Sequence, residues 1–208
     1  MNAAAVRMNV LMALKTQARV VEKVDKKDAI LEAMLDLIVE RGLHDAPMSV
    51  LAKRSGASPG VIYHYFPSKD DLIHAVYERV SLVKRGAILS GYSETMTPRE
   101  AFLQSWMNAY RFYRTHLRET RFLDQYLNSP YCKPAGADET NDVDPAMARF
   151  SKLSRPKKQG GLMKDLPAEA IQSLSFGLAA NLAKAEKGFS AATLKRVAET
   201  AWEAIAEE

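Results

Sequence analysis

The chain has 208 residues, 47% of them hydrophobic, which excludes a disordered protein and leaves room for one good-sized core or a small domain fused to a larger one. Its net charge of +4 permits a polyanionic partner without demanding one, and no apolar run approaches the roughly 18 residues of a membrane span. A single cysteine, Cys132, excludes an internal disulfide framework and fits a reducing, cytoplasmic compartment; a lone Cys is ordinarily a small buried hydrophobe and receives no role here.

Residues 1–24 read as an extension or arm. Val6, Val10, Leu14, Val21 and Val24 make a loose helical stripe, broken by Arg7 and Asn9. No clean cleavage site follows, which argues against a signal peptide, and Met8 or Met12 are alternative starts. Val, Ile and Thr never cluster in alternation, so the expected fold class is all-α. The first firm helix begins near Asp25 or Lys26, carries Ile30, Met34, Leu35, Leu37 and Ile38 on one side, and stops at Gly42. A second, with Val50, Leu51 and Ala52 inward, runs from Asp45–Pro47 to Gly56. Ser58 then caps a third helix of about two turns, with Pro59 at its first position and Pro67 as its stop. Ser68 caps a fourth, with Asp71 completing a capping box variant, and this helix runs toward Leu89 and Gly91.

Farther on, Thr97-Pro98-Arg99-Glu100 is a cap, first-turn proline and third-position acid in series. Its helix holds Phe102, Trp106, Tyr110 and Tyr113, and the next holds Phe122 and Tyr126. Residues 133–144 read as a loop, and Asp144-Pro145 opens a short helix to about Leu153. Arg155–Gly161 reads as a mobile connection rather than a nucleic-acid patch, since nothing aromatic accompanies its charges. Two final helices carry the stripes Ile171, Leu174, Leu178, Leu182 and Leu194, Val197, Ala201, Trp202, Ile205.

Two short helices joined by a glycine turn after a longer one form a helix-turn-helix pattern. A major groove about 12 Å wide admits one helix, and the N-terminal part of that helix reaches the base edges. Ser58, Pro59 and Gly60 lie at that point and let a backbone come close to phosphate. Tyr63 and His64 can donate to phosphate oxygens, Lys69 adds charge at the next helix start, and Ser49 can reach a base. The reading helix is poor in Arg, Asn and Gln, so direct base readout looks thin.

The stretch "LAKRSGASPGVIYHYFPSKDDL" strongly resembles the DNA-binding domain of the TetR family, particularly its AcrR-like branch, over roughly residues 27–75. The later stretches "FLDQYLNSPY", "FGLAANLA" and "ETAWEAI" are similar to AcrR-type regulatory domains. Family members often open the second helix with Thr, where Pro47 stands here; the usual hydroxyl contact to phosphate is then missing. The resemblance implies an all-helical homodimeric repressor with a helix-turn-helix domain over 25–74 and a regulatory ligand-binding and dimerisation domain over 75–208. It implies that the fourth helix links the two and that the last two helices pair with their copies. The expected partners are an operator duplex, a second copy and a small lipophilic or aromatic effector, with no membrane, cofactor or metal.

The two terminal stripes fit such a pairing independently. Trp106, Tyr110, Tyr113, Phe122, Tyr126, Phe150 and Phe176 are candidate effector-lining residues. For each of them, ordinary burial preferences favour plain core about two to one. Trp106, Tyr110 and Tyr126 are the strongest, because their polar atoms want a partner. An enzyme is disfavoured: the sequence has no HExxH, Gly-rich phosphate loop, GxSxG or paired Cys motif, and its histidines are scattered. The alternative reading is a helical small-molecule-binding module that keeps the fold without sequence-specific regulation.

Overall fold

The computed structural model describes residues 26–132 and 155–207. The arm, the 133–144 loop, the helix expected after Asp144 and the candidate Phe150 lie outside the described residues. Those described form helices α1 (26–41), α2 (Met48–Ser55), α3 (Pro59–Tyr65), α4 (Lys69–Ile88), α5 (Pro98–Thr115), α6 (Leu117–Leu127), α7 (168–183) and α8 (Ala191–Ile205). No strand occurs among the described residues, and none of their helices is long and apolar enough to cross a membrane.

The chain divides into two compact units. Among described residues the first comprises 26–79 and 121–132, the second 80–120 and 155–207. The division falls five residues beyond the expected boundary after residue 74 and adds most of α6 to the first unit. In that unit, Ile30, Met34, Leu37 and Ile38 of α1 and Leu51, Ile62, Leu72 and Ile73 are all fully buried. Phe122 and Tyr126 belong to it too. Tyr126 is 1% exposed, stacks on Tyr77 at 4.2 Å, and its hydroxyl lies 3.0 Å from His74 Nδ1.

The second unit is built around α5. A capping box starts this helix: Thr97 accepts from the Glu100 backbone, and Glu100 Oε2 accepts from the Thr97 backbone at 2.9 Å. That bond from the Thr97 backbone holds the Glu100 carboxyl below its usual range. Phe102, Trp106, Ala109 and Tyr110 pack against α7 and α8. Helix α7 contains a π-turn at Ser173–Gly177. A widened turn of this kind interrupts the regular ladder, and here the Ser175 carbonyl accepts the Trp106 indole N–H at 3.0 Å. At the end of α7, Arg114 donates to the carbonyls of Ala183, Ala185 and Glu186, satisfying acceptors that a helix terminus leaves open.

Two expectations need correction. Leu194, Ala201, Trp202 and Ile205 are each under 9% exposed within a single chain, so this part of the α8 stripe packs on α5 and α7 and has no surface left for a second copy. Arg155–Gly161 is not a loose connection. Lys157–Gln159 form a 3-10 turn, and Met163 bonds back to Arg155 and Lys157. Lys164 and Glu207 then exchange backbone bonds with Ile205 and Leu162, which pins the segment to the end of α8. Met163 is buried as a result.

Trp106→Phe keeps an aromatic ring but removes the indole donor, leaving the Ser175 carbonyl with only its bond from the Leu178 backbone. Its expected effect is a loss of about 1–2 kcal/mol in unfolding free energy. A urea titration of the two proteins measures it, and an unchanged midpoint would show that the carbonyl does not depend on the indole.

Candidate nucleic-acid interface

Helix α3 has only seven residues, too short to hold its shape in water alone. Three local devices fix it. Gly56 ends α2 at φ +66°, a left-handed conformation that a side chain disfavours. Ser58 then accepts from the Val61 backbone as N-cap, with Pro59 in the first turn. Ile62 is 0% exposed and Phe66 is 4% exposed, and these two anchor the helix to the core.

With Ile62 and Phe66 turned inward, the opposite face points out. Ser58, Pro59, Gly60, Tyr63 and His64 are all exposed, Tyr63 by 48%. Ser49 is exposed on α2. The structure therefore brings six of the seven expected residues onto the outer surfaces of α2, the turn and α3. Lys69 differs: it is partly buried, and its ammonium donates to the His44 carbonyl at 3.3 Å, strapping the α1–α2 connection. Helix α2 begins after Pro47, which makes no side-chain cap, so the hydroxyl often found there is absent from this chain.

Charge is distributed unevenly over this face. Arg54 donates two hydrogen bonds to the Glu40 carboxylate, at 2.9 and 2.6 Å, and the contact holds that carboxyl below its usual range. Arg54 is thereby neutralised, while Lys53 beside it has no ion pair among the described residues. Lys27 lies 5.9 Å above the Phe66 ring, next to the end of α3. Lys27 stands in the first turn of α1, and sequence order gave no hint that it meets Phe66. The resulting surface offers hydroxyls, an imidazole, two ammonium groups and the exposed N–H groups of a helix start. Such a set suits a polyanionic backbone.

The expected effector residues divide between the units. Phe122 and Tyr126 are core of the first; Trp106, Tyr110, Tyr113 and Phe176 line or border the core of the second. The polar atoms of Trp106, Tyr110 and Tyr126 all find protein partners: Ser175 O, Phe189 N at 3.4 Å and His74. Each of the described aromatics is core, or borders the core, within its own unit. An open groove of about 650 Å³ in the second unit is lined instead by Met96, Leu103 and Met107, with Glu100 and Lys195 among its polar residues.

Residues 30–76 match the family described as bacterial regulatory proteins, tetR family, and residues 99–206 match the tetracyclin repressor-like C-terminal domain. The chain belongs to the TetR family. An uncharacterised helix-turn-helix transcriptional regulator of Haemophilus influenzae is 27% identical over 187 residues, covering 88% of this chain and 97% of its own. The regulator BetI of Escherichia coli is 26% identical over 161 residues, 74% of this chain and 77% of its own. A TetR-family crystal structure from Haemophilus influenzae superposes with a TM-score of 0.70 at 26% identity, covering 89% and 99% of the two chains. A second TetR structure, from Marinobacter aquaeolei, shares the fold at a TM-score of 0.75 and 21% identity over 90% and 98%. This TetR protein is accordingly a helix-turn-helix, DNA-binding transcriptional regulator; members of the family are regulators rather than enzymes, typically homodimeric and ligand-responsive.

Two glycines in the interface separate fold from function. Gly56→Ala is expected to cost about 1 kcal/mol, from a side chain forced to positive φ. Gly60 has ordinary helical geometry, and a Cβ there would meet nothing within 4 Å. Gly60→Ala is therefore expected to leave stability unchanged or raise it by up to about 1 kcal/mol. Urea unfolding of the two variants checks the opposite signs.

Proposed function

We propose that this TetR protein is a repressor that binds a palindromic operator as a homodimer in the cytoplasm and is released by a small lipophilic or aromatic effector. The same proposal assigns it to the AcrR-like branch, on the strength of the 51–72 stretch. Gly60 carries the reading. An exposed glycine inside a short helix costs stability, and no neighbour in this chain requires it. A duplex backbone arriving from outside does: a methyl group at that point holds the helix start away from phosphate. Ser58 and Tyr63 flank it as donors, His64 and Lys53 add reach, and Ser49 faces the groove floor. Lys69 serves by leaving His44 for phosphate or by holding the α1–α2 connection in place.

For the dimer, the α7 stripe is the better support. Ile171, Leu178 and Leu182 are half-buried and Leu174 is 43% exposed, so this face retains apolar area for a copy; Val197 of α8 is half-buried too. The switching step is a population shift. An effector held in the second unit favours a dimer whose reading helices no longer match half-sites about 34 Å apart. A preference of about 3 kcal/mol for the DNA-free state lowers operator affinity more than 100-fold.

Selection from a random duplex library tests the reading. The expected product is a two-fold symmetric site bound by two copies, with strongly salt-dependent affinity. Gly60→Ala should bind that site at least about tenfold more weakly without loss of stability. Recovery of no preferred sequence would instead favour a small-molecule-binding module that keeps the fold without regulation.

A further inference from the structure

The part of α4 that lies in the second unit, residues 80–88, has two contrasting faces. Leu82 and Val83 stand 64% and 46% exposed on one side. Ser81, Lys84 and Ile88 form a stripe on the other, at spacings of three and four that bring side chains onto one face. Ile88 packs against the aromatic cluster that includes Trp106 and Tyr110. Its carbonyl also accepts from Asn108 of α5. The stripe is therefore the inward side of α4.

Two polar groups on this inward stripe are unusual. The Ser81 hydroxyl is buried and has no hydrogen-bond partner, although a helical serine can ordinarily bond the carbonyl four residues back. Lys84, one turn on, is partly buried, and no described residue forms a hydrogen bond or ion pair with it. Burial pulls its ammonium below the ordinary lysine range, with Arg85 adding to the effect, so no carboxylate compensates it. A hydroxyl with nothing to bond and an ammonium with nothing to neutralise are expensive in an interior unless something arrives to use them.

We propose that Ser81 and Lys84 form an anion subsite for the effector, which is a small monocarboxylate with an apolar or aromatic body. The inference rests on the ligand-responsive reading above and narrows it to one chemical class. Lys84 supplies the charge, Ser81 donates a second hydrogen bond to the same carboxylate, and the apolar body lies toward the Ile88 end of the stripe. A quaternary ammonium of the same size is excluded by the same lysine.

The test uses the full chain, its selected operator duplex and chain-matched probes: octanoate, methyl octanoate and octyltrimethylammonium, with 2-naphthoate as the aromatic acid. At least one of the two carboxylates should raise the melting temperature and weaken operator binding tenfold or more; the ester and the cation should do neither. Lys84→Met should abolish that response, and Ser81→Ala should reduce it several-fold. Lys84→Met should also melt at the same temperature as the parent or higher without ligand, since an uncompensated buried charge has been removed. The inference is overturned if neither carboxylate acts, if the ester or cation acts as well, if Lys84→Met responds normally, or if that variant melts lower. Operator release by the ester or cation alone would overturn the anion subsite while leaving the regulator reading intact. A parent chain that selects no operator would sink the regulator reading, and carboxylate binding measured by melting would still report on the subsite.

Discussion

A helix of seven residues can be presented to a partner only if its own chain holds it rigid, and that constraint organises the first unit. Ser58 satisfies a first-turn N–H, Pro59 fixes the entry, and Ile62 and Phe66 bind one face to the α1–α4 core. Committing Ile62 and Phe66 inward turns the opposite face of this short helix outward. The exposed set Gly60, Tyr63 and His64 is thus a consequence of where Ile62 and Phe66 go. Around this, Arg54 and Glu40 join α2 to α1, and Arg79 bonds Asp28 and Glu32 to join α4 to α1. Exposed pairs such as these contribute little stability each, about 0–1 kcal/mol, but they set the register of helices that must stay fixed.

The second unit solves a different problem, that of closing helices whose ends and aromatic rings carry polar atoms. Trp106 needs an acceptor, and the Ser175 carbonyl in the π-turn supplies it beside its bond from the Leu178 backbone. Gly177 fits that turn, since a Cβ there would come within 2.9 Å of the Gln172 carbonyl. The C-terminal carbonyls of α7 need donors, and Arg114 provides them from α5. These bonds reach across roughly seventy residues of sequence, so the segment after Ala183 is held from α5.

The features legible in the sequence were those decided within three or four residues. Gly42 and Gly56 adopt positive φ, while Ser58, Ser68 and Thr97 all accept from their helix starts. Each depends on local chemistry that composition displays directly. The α8 stripe was legible as a buried face, but periodicity cannot say what buries it. Leu194 and Ile205 proved to belong to their own chain, whereas Leu174 keeps its exposure. Phe122 and Trp106 looked alike for the same reason, and only tertiary contacts put them in separate units. The pairing of Met163 with Arg155 and the contact of Lys27 with Phe66 had no local signature at all.

Positions that defy local rules without an internal reason carry the most functional information. Gly177 and Gly60 are both helical glycines, but the first is accounted for by a nearby carbonyl and the second by nothing in the chain. Trp106 and Ser81 are both buried donors, but the first has an acceptor and the second has none. Arg54 and Lys84 are both cations against the protein, but only Arg54 has its carboxylate. In each comparison the first residue is explained by folding. The second has no such account within the described residues, and the two proposals above supply one: phosphate beside Gly60, a carboxylate between Ser81 and Lys84. On those proposals the two ligands are alike in charge and act on different units. The protein would distinguish them by shape, with an open helix face for a polymer and an inward helix stripe for a small acid.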